Sequence, residues 1–338
     1  MATSTPVFIS ADQARDLLDW RGAVDAMADA YDRPAEPAAF PPRSIAERDG
    51  AWLRAHIGVP ETGRWMGAKL FARSPGRAAS FVLVLFDKES GEVACLLDGS
   101  AVTAWRTAAT SALAVGLLTP GRRHDVALVG SGLEARTHLE ALVALGLAGS
   151  ARVFSPTPAN RERFAAEAGR ALGVDVRPCR TVREAADGAS LVLGAARSRD
   201  EIPTFGPEEV ADGVLVVSIG STLPAQREVA VELIAASDVI VADDVEEVGA
   251  ATGDMIAARA AGVDVDRRLV SLHALKAGGF TARVAEARRV LYKSAGSAIQ
   301  DLTLAAWLFD RARSTGAATP QTAPFELKQP TRRAGGPA

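Results

Sequence analysis

The sequence predicts an α/β protein in which a doubly wound parallel sheet is inserted into an N-terminal α+β unit, itself completed by a C-terminal helix. Three observations predict this. After Gly121, short apolar runs alternate with helical stretches, as in a parallel sheet with helical crossovers. Before residue 100, β-rich runs follow one another without helices between them, as in an antiparallel or mixed sheet. A long helical pattern follows the last α/β unit and is free to fold back onto the first. The predicted division sets residues 1–120 and 290–338 against residues 121–289. The length of 338 residues suits two domains.

In chain order, residues 12–31 have the apolar spacing of a short amphipathic helix. The proline-rich stretch DRPAEPAAFPPRS ends it. AWLRAHIGV, WMGAKLFA and SFVLVLFDKESGEVACLLDG read as strands, the last as a hairpin turning at DKESG. Residues 100–118 read as an Ala/Thr-rich helix that TPG terminates. Six short apolar strands are then expected, at 126–129, 152–154, 174–177, 191–193, 214–219 and 239–242. From Val290 the pattern VLYKSAGSAIQDLTLAAWLFDRAR reads as one long helix. The Pro/Thr/Ala/Gly-rich tail after Arg313 is expected to be mobile or an extended arm.

Composition excludes several functions. Hydrophobic residues make up 48%, charged residues 23%, and the net charge is -3. Lys and Arg are scattered, so nucleic acid is not an expected partner. No uncharged apolar run reaches the roughly 18–20 residues of a membrane span. The N-terminus lacks a basic region followed by an apolar core, so no signal peptide is expected. Cys95 and Cys179 are isolated, and a cytoplasmic protein is the simplest reading. The histidines at 56, 124, 138 and 273 show no metal-ligand spacing.

The stretch DVALVGSGLEARTHLEAL starts the α/β array. Gly130-Ser131-Gly132-Leu133-Glu134-Ala135 fits G-x-G-x-x-A, placed after a strand and at the start of a helix. Gly130 permits a tight turn, Gly132 lets backbone approach a pyrophosphate, and Ala135 lets the helix pack close. This is the entrance of a Rossmann unit, with NADPH or NADH as cofactor. An acid that would bind the ribose 2′-hydroxyl is missing at the end of the second strand, where Ser155 stands. Ser155, Thr157 and Arg161 are candidates for a 2′-phosphate, which favours NADPH. No arginine directly follows Ser155.

Three cations stand out upstream. Arg43 follows two prolines, Lys69 lies within the apolar strand MGAKLFA, and Arg106 interrupts the uncharged helix AVTAWRTAATSALAV. Each must find a partner or bear a large desolvation cost. That partner is either a bound carboxylate or an acid of the chain.

LLDGSAVTAWRTAATSALAVGLL and the VALVGSGLEARTHLEAL that follows closely resemble the ornithine cyclodeaminase/μ-crystallin family. GAKLFARSPGRAASFVLVLFDKESGE, VVSIGSTLPAQREV and LYKSAGSAIQDLTLAA match it in the same order, so the resemblance spans roughly residues 40 to 310. It implies a homodimer and an imino or amino acid substrate, with residues 1–120 and 290–338 binding substrate and dimerising and residues 121–289 binding the dinucleotide. It implies that Arg43, Lys69 and Arg106 are the carboxylate-binding and catalytic cations. Ser80 matches a position on the nicotinamide side of the cofactor, and Ser155 the ribose-selecting position. Thr107, Ala195 and Ala196 join the implied cofactor contacts. Ile219, Gly220, Ser221 and Thr222 match the loop between cofactor and substrate. Ser294 and Ala295 match a segment that closes the site.

One departure bears on the reaction. Cyclodeaminases carry G-x-D-x-P-G-K, whereas here GSTLPAQRE puts Thr222 at the aspartate's position and Gln226 at the lysine's. A hydroxyl cannot supply the missing charge or accept the proton. Losing the charged hydrogen bond costs about 1.5–3 kcal/mol. Losing the proton acceptor costs a further factor of about 10²–10⁴. The expected function is therefore NAD(P)H-dependent reduction of an α-imino acid to an L-amino acid. The substrate is a cyclic ketimine such as pyrroline-2-carboxylate or piperideine-2-carboxylate, or an open-chain imine. Lys69, Arg106 and Thr222 are the expected catalytic residues. Arg73 and Arg77 are candidates for a second carboxylate. Two other readings stand beside this one: a cyclodeaminase using Asp243 or Asp244, and a non-enzymatic ligand-binding protein.

Overall fold

The computed structural model describes residues 5–33, 36–196, 202–321 and 325. The N-terminal part comprises β1 (Val7–Ile9), α1 (Ala11–Leu17), α2 (Trp20–Ala30), β2 (Ser44–Arg48), β3 (Ala51–Gly58), β4 (Trp65–Arg73), β5 (Ser80–Asp87), β6 (Val93–Asp98) and α3 (Gly99–Leu118). The single helix expected over 12–31 is two. Ser10 and Gln13 form a capping box on α1, and the Asp19 side chain accepts from Gly22 N to start α2 afresh. The DKESG turn forms as expected, with Asp87 Oδ1 accepting from Glu89 N and Ser90 N.

The α/β array comprises β7 (His124–Val129), α4 (Leu133–Ala144), β8 (Ala148–Phe154), α5 (Pro158–Leu172), β9 (Asp175–Cys179), α6 (Val182–Ala186), β10 (Leu191–Gly194), β11 (Leu215–Ser218), α7 (Val231–Ala235), β12 (Val239–Ala242), α8 (Val245–Ala251), α9 (Gly253–Ala260), β13 (Leu269–Ser271), α10 (Leu272–Lys276), α11 (Thr281–Glu286) and β14 (Val290–Lys293). Helix α12 (Ala298–Thr315) and the short β15 (Thr319–Pro320) follow.

There are two sheets. The first, β15-β1-β6-β5-β4-β3-β2, is antiparallel except at the β1–β6 pair. The second, β13-β12-β14-β11-β10-β7-β8-β9, is parallel in every described pairing. Its strand order reverses at β7, whose C-terminal end carries Gly130. Such a switch point is where open α/β sheets bind ligands.

Residues 290–293 correct the sequence reading. They are not the first turn of a long helix but β14, paired with β11 on one side and β12 on the other. Val290 to Tyr292 is a short apolar run, and periodicity alone does not separate a buried strand from a buried helix. Gly296, at φ +81, ends any continuity, and the helix begins at Ala298. The tail is also partly ordered. Helix α12 runs to Thr315, and β15 pairs antiparallel with β1. Most of the remaining tail lies outside the described residues.

Helix α3 is long and apolar enough to cross a membrane by length and composition, with Arg106 included. It is instead the central core helix, packed by α1, α2, α4 and α12. Helix α12 also lies against β3, β4 and β5, so the C-terminal helix does return to the first sheet. That return builds the site.

Candidate active site

The turn from β7 into the second sheet's first crossover helix is built by Gly130 and the start of α4. Gly130 has φ +117, and a Cβ there would stand 2.6 Å from Ala195 O. Conformation and crowding both demand glycine. Gly132 is different. Its φ is -87, and a Cβ would meet no protein atom within 4 Å. The protein itself therefore has no need of glycine there. Gly132 stands at the N-cap of α4 with no side-chain cap, so the helix dipole and its first backbone N–H groups are available to an anion. A dinucleotide pyrophosphate fits this geometry. Ser131, the exposed Leu133 and Glu134 flank it, and Ala135 is buried against the strand. We expect Gly132→Val to fold normally yet lose NAD(P)H binding by fluorescence titration. Unchanged affinity would place the pyrophosphate elsewhere.

Ser155 follows β8 and is buried. Arg161 Nη1 donates to Ser155 O at 3.0 Å, which brings a guanidinium to the turn after β8. Thr157 is exposed at the N-cap of α5, and its side chain makes no cap bond. Ala195 and Ala196 follow β10, with Ala195 N donating to Val129 O at 2.8 Å. Ser80 is exposed at the start of β5, in a depression shared with Arg48, Arg73 and Arg77. Arg73 Nε donates to Arg77 O, so those two arginines form a surface turn.

Lys69 and Arg106 converge on an acid the sequence reading did not single out. Asp301 on α12 is fully buried. It lies 2.6 Å from Lys69 Nζ, 3.0 Å from Arg106 Nε and 2.7 Å from His56 Nδ1. His56 and Lys69 face each other directly across β3 and β4. Burial pushes the Lys69 ammonium down to about 8, against the pull of Asp301. Burial also lowers His56, and the Asp301 hydrogen bond only partly offsets this. Burial alone would raise the Asp301 carboxyl. Lys69, Arg106 and His56 outweigh it and hold the group well below its ordinary value. With His56 neutral, the cluster carries two cations and one anion, a net charge of +1, which one carboxylate would balance.

Arg106 retains donors for such a carboxylate. Its Nη1 bonds Gln300 Oε1 at 2.6 Å, but Nε is near Asp301 without hydrogen-bond alignment. The guanidinium lies against Gly296, where a Cβ would meet Nη1 at 2.4 Å and Nη2 at 2.6 Å. Gly296 and His56 both line a cavity of about 600 Å³, together with Phe40, Arg43, Leu223 and Glu247. The cavity lies between the first sheet and the C-terminal ends of the second. Arg43 does not reach the Asp301 cluster. It pairs with Glu247 of α8, Nη2 to Oε2 at 2.5 Å and Nε to Oε2 at 2.8 Å. All three predicted cations thus have partners within the chain, while Arg43 and the Arg106–Gly296 contact border the cavity.

The loop after β11 explains the two departures at 222 and 226 together. Gln226 Oε1 accepts from Thr222 N at 3.0 Å and Thr222 Oγ1 at 3.3 Å, so the substituted positions cap each other. Ser221 Oγ donates to Gln226 O. Of the alternative acids, Asp243 is consumed by structure. It accepts from Ser294 Oγ, the backbone N–H groups of Ala295 and Gly296, and Gln300 Nε2. Ser294 and Ala295 are therefore clamped from below, and Ser294 spends its hydroxyl on that clamp. Asp244 lines the cavity, caps α8 and is pushed up to about 6 by burial.

His56, Asp301 and Gln300 were missed. The signal for Asp301 and Gln300 was the one used for Arg106, polar groups inside an apolar helix pattern. For His56 alternation pointed the wrong way: Leu53, Ala55 and Ile57 share the face opposite His56, yet the His56 face is the buried one.

A model of the ornithine cyclodeaminase/mu-crystallin family matches residues 67–316. The chain is 30% identical over 236 residues to ketimine reductase mu-crystallin of Mus musculus, covering 70% of each. It is 28% identical over 320 residues to a delta(1)-pyrroline-2-carboxylate reductase of Paracoccus denitrificans, covering 90% of this chain and 97% of that one. The crystal structure of a probable ornithine cyclodeaminase from Bordetella pertussis superposes with TM-score 0.81 at 28% identity, over 92% of this chain and 98% of the other.

Proposed function

The chain belongs to the ornithine cyclodeaminase/mu-crystallin family, and on that premise we propose that it is an NAD(P)H-dependent reductase of α-imino acids. The product is an L-amino acid, and the substrate a cyclic ketimine of the pyrroline- or piperideine-2-carboxylate type or an open-chain imine. The observation that carries the reading is the buried Lys69–Arg106–Asp301–His56 cluster beside a cavity at the C-terminal ends of β11, β14, β12 and β13. Two reductases among the relatives support it.

In this reading the net positive cluster attracts the substrate carboxylate, with Arg106 as its direct ligand. Arg43 joins when it leaves Glu247. Lys69, held in place by Asp301, polarises the C=N bond and supplies the proton that the nitrogen takes as hydride reaches the carbon. Gly130, Gly132, Ser155, Thr157, Ala195, Ala196 and the 219–222 loop are the residues that would hold the dinucleotide. When bound, that group supplies the hydride. Arg161 beside the neutral Ser155 supports a preference for NADPH. The two cysteines are free and buried, which suits the reducing cytoplasm.

Two assays separate this proposal from the cyclodeaminase reading. The purified protein should oxidise NADPH, and NADH less well, with a cyclic ketimine. It should release no ammonia from ornithine with NAD⁺, because Thr222 carries no charge, Asp243 is occupied, and Asp244 is held as the cap of α8 by Glu247 N. Robust ammonia release overturns the assignment. Tight nucleotide binding without turnover on any imine would favour the non-enzymatic reading.

We propose further that the protein is a homodimer joined through the outer face of the first sheet. Leu53, Ile57, Leu70 and Val82 are exposed on the side away from α12. They form a contiguous apolar face through the Leu70–Val82 pairing. A face of this kind marks an interface, and a second copy can cover it by two-fold symmetry. Light scattering should give about twice the 35.2 kDa chain mass. Leu70→Lys with Val82→Lys should give the monomer. A wild-type monomer at micromolar concentration would overturn the assembly.

A further inference from the structure

Beneath the nucleotide end of the second sheet lies a second buried ionic group that the proposed chemistry does not use. Glu228, Asp254, Lys293 and Ser218 are all fully buried. Glu228 Oε1 accepts from Ala196 N at 2.9 Å. Glu228 Oε2 accepts from Gly220 N at 2.8 Å and from Ser218 Oγ at 2.6 Å. Lys293 Nζ donates to Ser218 Oγ at 2.8 Å and lies 3.0 Å from Asp254 Oδ2. Asp254 Oδ1 in turn accepts from the backbone N–H groups of Glu228 and Val229.

Every described contact to the Glu228 carboxyl is a donor, so it acts as an acceptor on both oxygens. Its two oxygens are divided between two separate loops, one after β10 and one after β11. Both are loops to which the resemblance assigns cofactor contacts. Two glycines make room for it. A Cβ at Gly194 would stand 2.7 Å from Glu228 Cδ, and one at Gly220 would stand 2.3 Å from Oε1. Burying a carboxylate is costly, and a neutral hydrogen-bonding side chain could balance a neutral loop without that cost. A charged acceptor here makes both loop contacts charge-assisted and stiff.

We propose that Glu228 is a positioning residue for the dinucleotide: by strapping Ala196 to Gly220 it fixes the spacing of the two loops that embrace the cofactor, and Lys293 acts through Ser218 to hold the strap. This rests on the nucleotide-binding reading above. The rival account is that Glu228 merely balances the charge of Lys293.

Two variants separate the accounts. Glu228→Gln keeps the length but turns a donor toward one of the two N–H groups. Glu228→Asp keeps the charge for Lys293 but is too short to span both loops. The strap predicts that both raise the Kd for NADPH by about 10- to 100-fold. The substrate KM at saturating nucleotide should change far less. Charge balance predicts that Glu228→Asp binds NADPH like the wild type, whatever its melting temperature.

Wild-type nucleotide affinity in either folded Glu228 variant overturns the proposal. If neither folds, Ser218→Ala, which removes one donor and no charge, decides by the same titration. It is expected to weaken binding by about 3- to 10-fold, and unchanged affinity overturns the strap. Failure of the wild type itself to bind NADPH or NADH would instead overturn the nucleotide-binding reading on which the strap depends.

Discussion

Lys69→Met should retain NAD(P)H binding but lower imine reduction by about 10²–10⁴-fold. The glycine turn at Gly130 and Gly132, proposed to hold the nucleotide, is built on β7 and α4, whereas Lys69 belongs to β4. Methionine fills most of the lysine's volume, so the loss is mainly the cation. The pH profile supplies a second readout. The native Lys69 ammonium is lowered by burial to about 8. As the pH rises through that value the site loses a positive charge, so kcat/KM of the wild type should fall above about pH 8. The variant should lack this limb. Steady-state rates from pH 6 to 10 with a cyclic ketimine check both statements. A variant within a few-fold of the wild type would remove Lys69 from the chemistry.

Asp301→Asn should cause the largest loss of stability, about 3–5 kcal/mol, because it leaves two buried cations without their counter-charge. Lys69 and Arg106 both depend on that carboxylate, and its side chain has no solvent exposure. The native carboxyl is held below its ordinary value of 3.8. It therefore contributes stability above that pH and loses it as acid titrates the native group. Urea denaturation at neutral pH should show the full difference between the variant and the wild type. That difference should shrink as the solution is acidified below the ordinary carboxylate value. An equally stable variant at pH 7 would mean that the cations find other partners. Lys69→Met combined with Asp301→Asn should recover part of the loss, since it removes one of the stranded charges.

The local patterns determined much of this protein from the sequence alone. The alternation after Gly121 specified a parallel α/β array, because crossover helices and buried strands leave distinct periods in a single chain. The turn at Gly130 was legible because a left-handed backbone beside a close neighbour accepts little else. Lys69 and Arg106 stood out because a charge in apolar company needs a partner. The identity of that partner was not legible. Asp301 lies more than 190 residues beyond Arg106 and about 230 beyond Lys69, and only the return of α12 onto β3, β4 and β5 brings them together. The fate of Val290–Lys293 was likewise decided by tertiary structure. A short apolar run suits helix and strand equally until β11 and β12 leave a gap that needs a strand. Arg43 shows the same dependence: its spacing gave no sign of Glu247, because packing of α8 against the proline-rich connection alone makes that pair. Local periodicity fixes elements, whereas charge partners and sheet neighbours depend on contacts between segments far apart in the chain.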